Sequence, residues 1–113
     1  MVSDELLDIQ HLERQFHLRV VRYFHETRKS RGPLLEQLIW DTAEVGGLLA
    51  VRRILHRGGW PFSRFLELQR VGDSLEALII HEEQWQPLFT DMEIDMARQR
   101  LRGAGYVGRS EDQ

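Results

Sequence analysis

The sequence predicts an all-α protein, a compact bundle of about six helices led by a long N-terminal helix. Three observations predict it. Apolar residues recur at steps of three and four along most of the chain. No stretch keeps the strict alternation of a half-buried strand between hairpin turns. Glycine, proline and short polar residues fall where helix ends need them. A chain of 113 residues reads as one domain, since domains of about 100–200 residues are the rule. Within that single domain, 1–113, we expect a long amphipathic helix over 4–29, a compact helical portion over 33–103 and a flexible tail over 104–113.

The first helix is carried by Leu6, Ile9, Leu12, Phe16, Val20, Tyr23 and Phe24, which share one face of a 100°-per-residue wheel. Ser30-Arg31-Gly32 ends it. Pro33 suits the first position of the next helix, where its missing N–H is not needed. That second helix points Leu35, Leu38 and Ile39 inward and closes near Gly46-Gly47. A third, over about 48–56, presents Leu48, Val51, Ile54 and Leu55. Gly58-Gly59-Trp60-Pro61 is the strongest break, with Trp60 pushed extended by Pro61. A fourth helix opens on Phe62, Phe65 and Leu66 and stops near Gly72. Asp73-x-x-Glu76 reads as a capping box for a fifth, with Leu75, Leu78 and Ile79 on one face. Thr90 and Glu93 read as a capping box for the last helix, with Phe89 and Ile94 placed as a hydrophobic staple. Acidic residues at its start and Arg98, Arg100 and Arg102 at its end suit the helix dipole, and Gly103 is the expected stop.

Composition excludes several chemistries. The absence of cysteine removes disulfides, thiolate metal sites, iron–sulfur clusters and a cysteine nucleophile. No apolar run approaches the roughly 18 residues of a membrane span, and the acidic start, Met1-Val2-Ser3-Asp4-Glu5, lacks the basic region of a signal peptide. A cytoplasmic, membrane-free protein is expected. The histidines His11, His17, His25, His56 and His81 show no metal-binding spacing, because the second histidine of a site begun by His81-Glu82-Glu83 would fall on Trp85. No serine lies in a nucleophile elbow, and neither Gly-Gly pair belongs to a phosphate loop. The expectation is a protein that is not an enzyme, with no catalytic residue, cofactor, metal or small-molecule substrate.

Nucleic-acid binding rests on one feature, the cluster Arg52, Arg53, Arg57, Arg64 and Arg70 around Trp60. Against it stand the net charge of −3 and the arginine-rich basic set, which itself reads as gene base composition. Residues 61–80 have the outline of a helix-turn-helix, but the second helix is apolar and then acidic, which repels DNA.

From Gly46 onward the chain resembles a small helical domain of bacterial proteins whose function is unknown. The resemblance lies in Gly47-Leu48-Leu49-Ala50-Val51-Arg52-Arg53-Ile54-Leu55, Phe65-Leu66-Glu67-Leu68, Leu75-Glu76-Ala77-Leu78-Ile79-Ile80, Trp85-Gln86-Pro87-Leu88-Phe89-Thr90 with Glu93, Ala97-Arg98-Gln99-Arg100-Leu101 and Gly105-Tyr106. It departs at Gly72-Asp73, where similar sequences carry an Asp–Leu pair. It implies a compact helical unit and transfers no activity. Among the matching residues, Leu48, Val51, Leu55, Phe65, Leu78, Phe89, Ile94 and Leu101 are core candidates, and Glu76 is a candidate buried partner for Arg52 or Arg53.

The most informative pattern is the other side of the first helix. Leu7, His11, Arg14, Leu18, Val21 and His25 follow steps of four, three, four, three and four, a heptad seam opposite the main stripe. One apolar face suffices for a core, so the seam reads as a mixed solvent face or as a surface for a protein partner or a second copy, with Trp40 and Trp60 as possible additions. The function expected is a bacterial or mobile-element module for protein interaction or oligomerisation. The alternative is a nucleic-acid-associated accessory protein using the arginine cluster.

Overall fold

A computed structural model describes residues 3–27, 33–57, 60–67 and 69–106. Among them the fold is all-α. Six α-helices are joined by turns and two short 3-10 helices: α1 Ser3–Glu26, α2 Pro33–Val45, α3 Gly47–Leu55, α4 Trp60–Glu67, α5 Leu75–His81 and α6 Asp91–Gly103, with 3-10 turns at Val71–Asp73 and Glu83–Leu88. The chain divides into two compact units, Met1–Val51 and Arg52–Gln113. The boundary falls inside α3.

In Met1–Val51 the buried apolar side chains are Phe16, Val20, Tyr23, Leu38, Ala50 and Val51. The α1 stripe is therefore core only from Phe16 onward, because Ile9 is exposed and Leu12 and Phe24 are half-buried. In α2, Leu38 points inward as expected and Ile39 does not. Leu6, Leu35 and the Ser30-Arg31-Gly32 stop lie outside the described residues or side chains. The two glycines between α2 and α3 have different jobs. Gly46 has φ +90° and closes α2 through its N–H to the Thr42 carbonyl at 3.0 Å, a left-handed cap that favours glycine. Gly47 allows close approach: a Cβ there would lie 2.9 Å from the His17 Cα and 3.2 Å from the Val20 side chain. Its N–H also donates to His17 Nδ1 at 3.0 Å. Since the obstacle is backbone, Gly47→Ala is expected to destabilise the protein by about 1–3 kcal/mol in urea denaturation, the range for overpacking.

In Arg52–Gln113, α5 is buried almost all round, from Leu75 through Ile79. Phe62, Val71, Ala77 and Leu101 form one apolar cluster, with Ile80, Ala104 and Tyr106 packed on it. Of the eight core candidates only Leu48 fails to be buried, being half-buried instead. Three helix ends differ from expectation. α4 begins at Trp60 itself, since the first helical turn needs no N–H partner; Gly58-Gly59 and the Trp60 side chain lie outside the description. It ends at Glu67, well before Gly72. The Arg70 N–H bonds to the Phe65 carbonyl at 2.8 Å and the Gln69 N–H to Leu66 at 3.1 Å, with Gln69 at φ 58°. That pairing is a Schellman cap with glutamine where glycine is favoured. Gln69→Gly is expected to stabilise by about 1 kcal/mol, read as a raised melting temperature.

The same cap, with glycine in place, ends α6. Tyr106 N–H bonds to the Leu101 carbonyl and Gly105 N–H to Arg102, both at 3.0 Å, and Gly105 has φ +73°. The helix stops at Gly103 as expected, and the left-handed residue of its cap is Gly105. The cap of α5 moves by one residue. Ser74 Oγ accepts from Ala77 N–H at 3.2 Å and donates to the Val71 carbonyl at 2.7 Å. The expected capping box from Asp73 to Glu76 does not form, because both carboxylates have arginine partners: Asp73 takes Arg70 at 2.7 Å and Glu76 takes Arg100 at 2.8 Å.

Candidate functional site

The heptad seam of α1 is exposed along its whole length. Leu7, His11, Arg14, Leu18, Val21 and His25 are all exposed, Leu7 and Leu18 at 59% and 62%. The reason is angular. The buried residues Phe16, Val20 and Tyr23 of the same helix, with Thr27 just beyond its end, repeat the seam's spacing two positions on, which is about 200° around an α-helix. Two heptad stripes thus stand back to back, and the Met1–Val51 unit covers only one. Along 7–15 even the inner stripe is open, with Leu12 alone half-buried. Of the charges along α1, Asp4, Glu5 and Asp8 stand near the start, Glu13 and Arg14 lie side by side near the middle, and Arg19, Arg22 and Glu26 follow. Arg19 is buried and ion-paired to Glu26 at 3.0 Å, while Arg22 is 68% exposed with a longer contact to Glu26 at 3.6 Å. Elsewhere in this unit Trp40 is exposed at 72%.

The second unit holds a polar network. Glu93, 1% exposed, closes the capping box of α6: its N–H donates to Thr90 Oγ1 at 3.1 Å and its Oε1 accepts the Thr90 N–H at 2.9 Å. Its other oxygen, Oε2, takes Arg52 Nε at 2.9 Å and His56 Nε2 at 2.8 Å. Burial alone would push this carboxyl up, but the Thr90 amide, Arg52 and His56 outweigh burial and hold it down at about 2. Arg100 makes the second tie, donating to Glu76 Oε2 at 2.8 Å and to the Leu55 carbonyl at 2.7 Å. That carbonyl is at the end of α3, where helices leave acceptors unsatisfied. Here burial wins: the Glu76 carboxyl is raised above its ordinary range although Arg100 pulls it down. Glu76 is thus buried as expected, but its partner is Arg100, not Arg52 or Arg53. Local sequence could not show this, because the pairs span 41 and 24 residues.

The other singled-out residues are divided. Of the arginine cluster, Arg52 and Arg70 pair with Glu93 and Asp73, Arg53 and Arg57 are exposed, and the Arg64 side chain lies outside the description. The burial of α5 leaves it no face with which to enter a DNA groove. His81 Nε2 and Tyr106 Oη are 2.8 Å apart with their rings edge to face, and Glu82 accepts the Trp85 indole N–H at 2.8 Å. Among the described residues no three His, Asp or Glu side chains stand close enough to hold a metal ion, and no helix is long and apolar enough to cross a membrane. No family model, curated protein or solved structure matches the chain. What the arrangement offers chemically is a rigid tie between helices in one unit and, in the other, an amphipathic helical surface open to solvent.

Proposed function

We propose that this chain is a non-enzymatic interaction module whose working surface is the outer face of α1, with a protein as its partner. The observation that carries the reading is the exposure of all six seam residues on a helix whose own core contacts lie on the opposite face. An amphipathic helix presenting apolar side chains at heptad spacing suits helix-to-helix recognition. Leu18→Asp tests it, since a charge at an exposed position leaves folding intact. A tagged chain recovered from its native host should hold a protein partner after nuclease treatment, and the Leu18→Asp chain should lose it while keeping the same circular dichroism. Partners that vanish with nuclease, or whose binding falls steeply with salt, would instead favour the nucleic-acid reading through the exposed Arg53 and Arg57.

A further inference from the structure

We infer that the partner of the α1 seam is a second copy of the same chain, docked antiparallel. This rests on the reading of α1 as an interaction face and adds its occupant. Register comes first. In an antiparallel helix pair each core position faces a core position whose number completes a constant sum. For this seam the sum is the same in every layer: Leu7 faces His25 of the second copy, His11 faces Val21, and Arg14 faces Leu18. Each layer sets one aliphatic side chain against one imidazole or the alkyl stem of an arginine, which covers apolar surface while its charged end stays wet. A parallel pair would stack Arg14 on Arg14 at the centre, a like-charge contact.

Charge decides the flank. The residues beside the seam on the side away from Gly47 are Asp8, Gln15 and Arg22, all exposed. In the antiparallel register these positions face one another across the pair, so Asp8 meets Arg22 of the second copy, Gln15 meets Gln15, and Arg22 meets Asp8. On this flank Asp8 and Arg22 meet only when the second copy is reversed. The opposite flank contains His17 and Phe24, which are half-buried within their own unit, so the open flank is the one that carries the matching charges. The result is an isologous two-fold contact, the commonest symmetry of homo-oligomers.

The full chain tests this in sedimentation equilibrium. The wild type is expected to dimerise, and Asp8→Arg or Arg22→Asp alone, each setting like charges at both 8–22 pairs of the open flank, to weaken it about tenfold or more. An equimolar mixture of the two variants restores every opposite-charge pair and should form the heterodimer at wild-type strength. The chain's lack of cysteine gives a second readout: Asp8→Cys and Arg22→Cys chains, mixed and oxidised, should cross-link to each other and not like to like. A wild type monomeric to about millimolar concentration, no rescue in the mixture, or an Asp8→Cys chain that links to itself would each overturn the inference. If the chain is monomeric yet Leu18→Asp still releases a host protein, the second copy is wrong and the interaction face stands. If it is monomeric and Leu18→Asp changes nothing, both fall.

Discussion

Arg100→Ala is expected to lower stability by about 3–5 kcal/mol near neutral pH, the range for removing one member of a buried ion pair. The substitution orphans two groups at once, the Glu76 carboxylate and the Leu55 carbonyl, both of which Arg100 satisfies at under 3 Å. The loss should depend on pH in a definite direction. Burial raises the Glu76 carboxyl in the folded protein, with Arg100 pulling against it. Above about 4.5, its ordinary value, the folded state binds more protons at this site than the unfolded state, so its contribution falls as pH rises through the raised value. Without Arg100 only a backbone hydrogen bond at Glu76 opposes burial, and the deficit relative to wild type should be larger at pH 8 than at pH 5.5. Urea denaturation at both values measures it, with the exposed Arg102→Ala as a control expected within about 0.5 kcal/mol of wild type. Pairing Arg100→Met with Glu76→Leu should recover the part of the loss due to the ion pair, since apolar groups of similar volume in its place are close to neutral, while the Leu55 carbonyl still lacks its donor. A single variant no worse than the control would show that the tie does not hold the unit together.

The second large effect belongs to Glu93. Its carboxyl is lowered from an ordinary 4.5 to about 2 despite burial. The ionised form therefore stabilises the fold above about pH 4.5, and that contribution drains away as pH falls from there through 2. The shift corresponds to about 3 kcal/mol, which the partial exposure of Arg52 and His56 reduces to about 2 kcal/mol. Glu93→Gln keeps the shape and removes the charge, so it should lose about that amount at pH 7. Its stability curve between pH 4.5 and 2 should then lack the fall that this carboxylate gives the wild type. Thr90→Ala, which removes the reciprocal half of the cap only, is expected to cost about 1 kcal/mol. The two acids pull in opposite directions: acidification from neutrality relieves Glu76 before it begins to undo Glu93.

The helices were legible because their causes are local. Thr90 and Glu93 sit three residues apart, Pro33 opens α2, and the apolar steps of α5 and α6 place Leu78, Ile94 and Leu101 inside, where they are found. The misplaced ends have separate causes: the end of α4 depends on a left-handed backbone that glutamine at 69 gives no reason to expect, and the start of α5 moved because Asp73 and Glu76 have arginine partners. Of the polar groups, the sequence showed the burial of Glu76 but not its partner, and it showed Glu93 as a cap without its long-range pairings. The α1 seam was readable as a pattern; that all of it faces solvent needed the packing of α1, α2 and the start of α3.

One consequence of the Arg100 tie concerns the order in which the chain is made. Translation delivers Leu55 and Glu76 before the base that serves them, and Arg52 and His56 before Glu93. Until α6 has been synthesised the second unit has its acid without a counter-charge and an unsatisfied helix end. Until then those groups have water in place of their folded-state partners. The last helix thus carries the partners of both ties, Glu93 and Arg100, while its own cap is built from neighbouring residues.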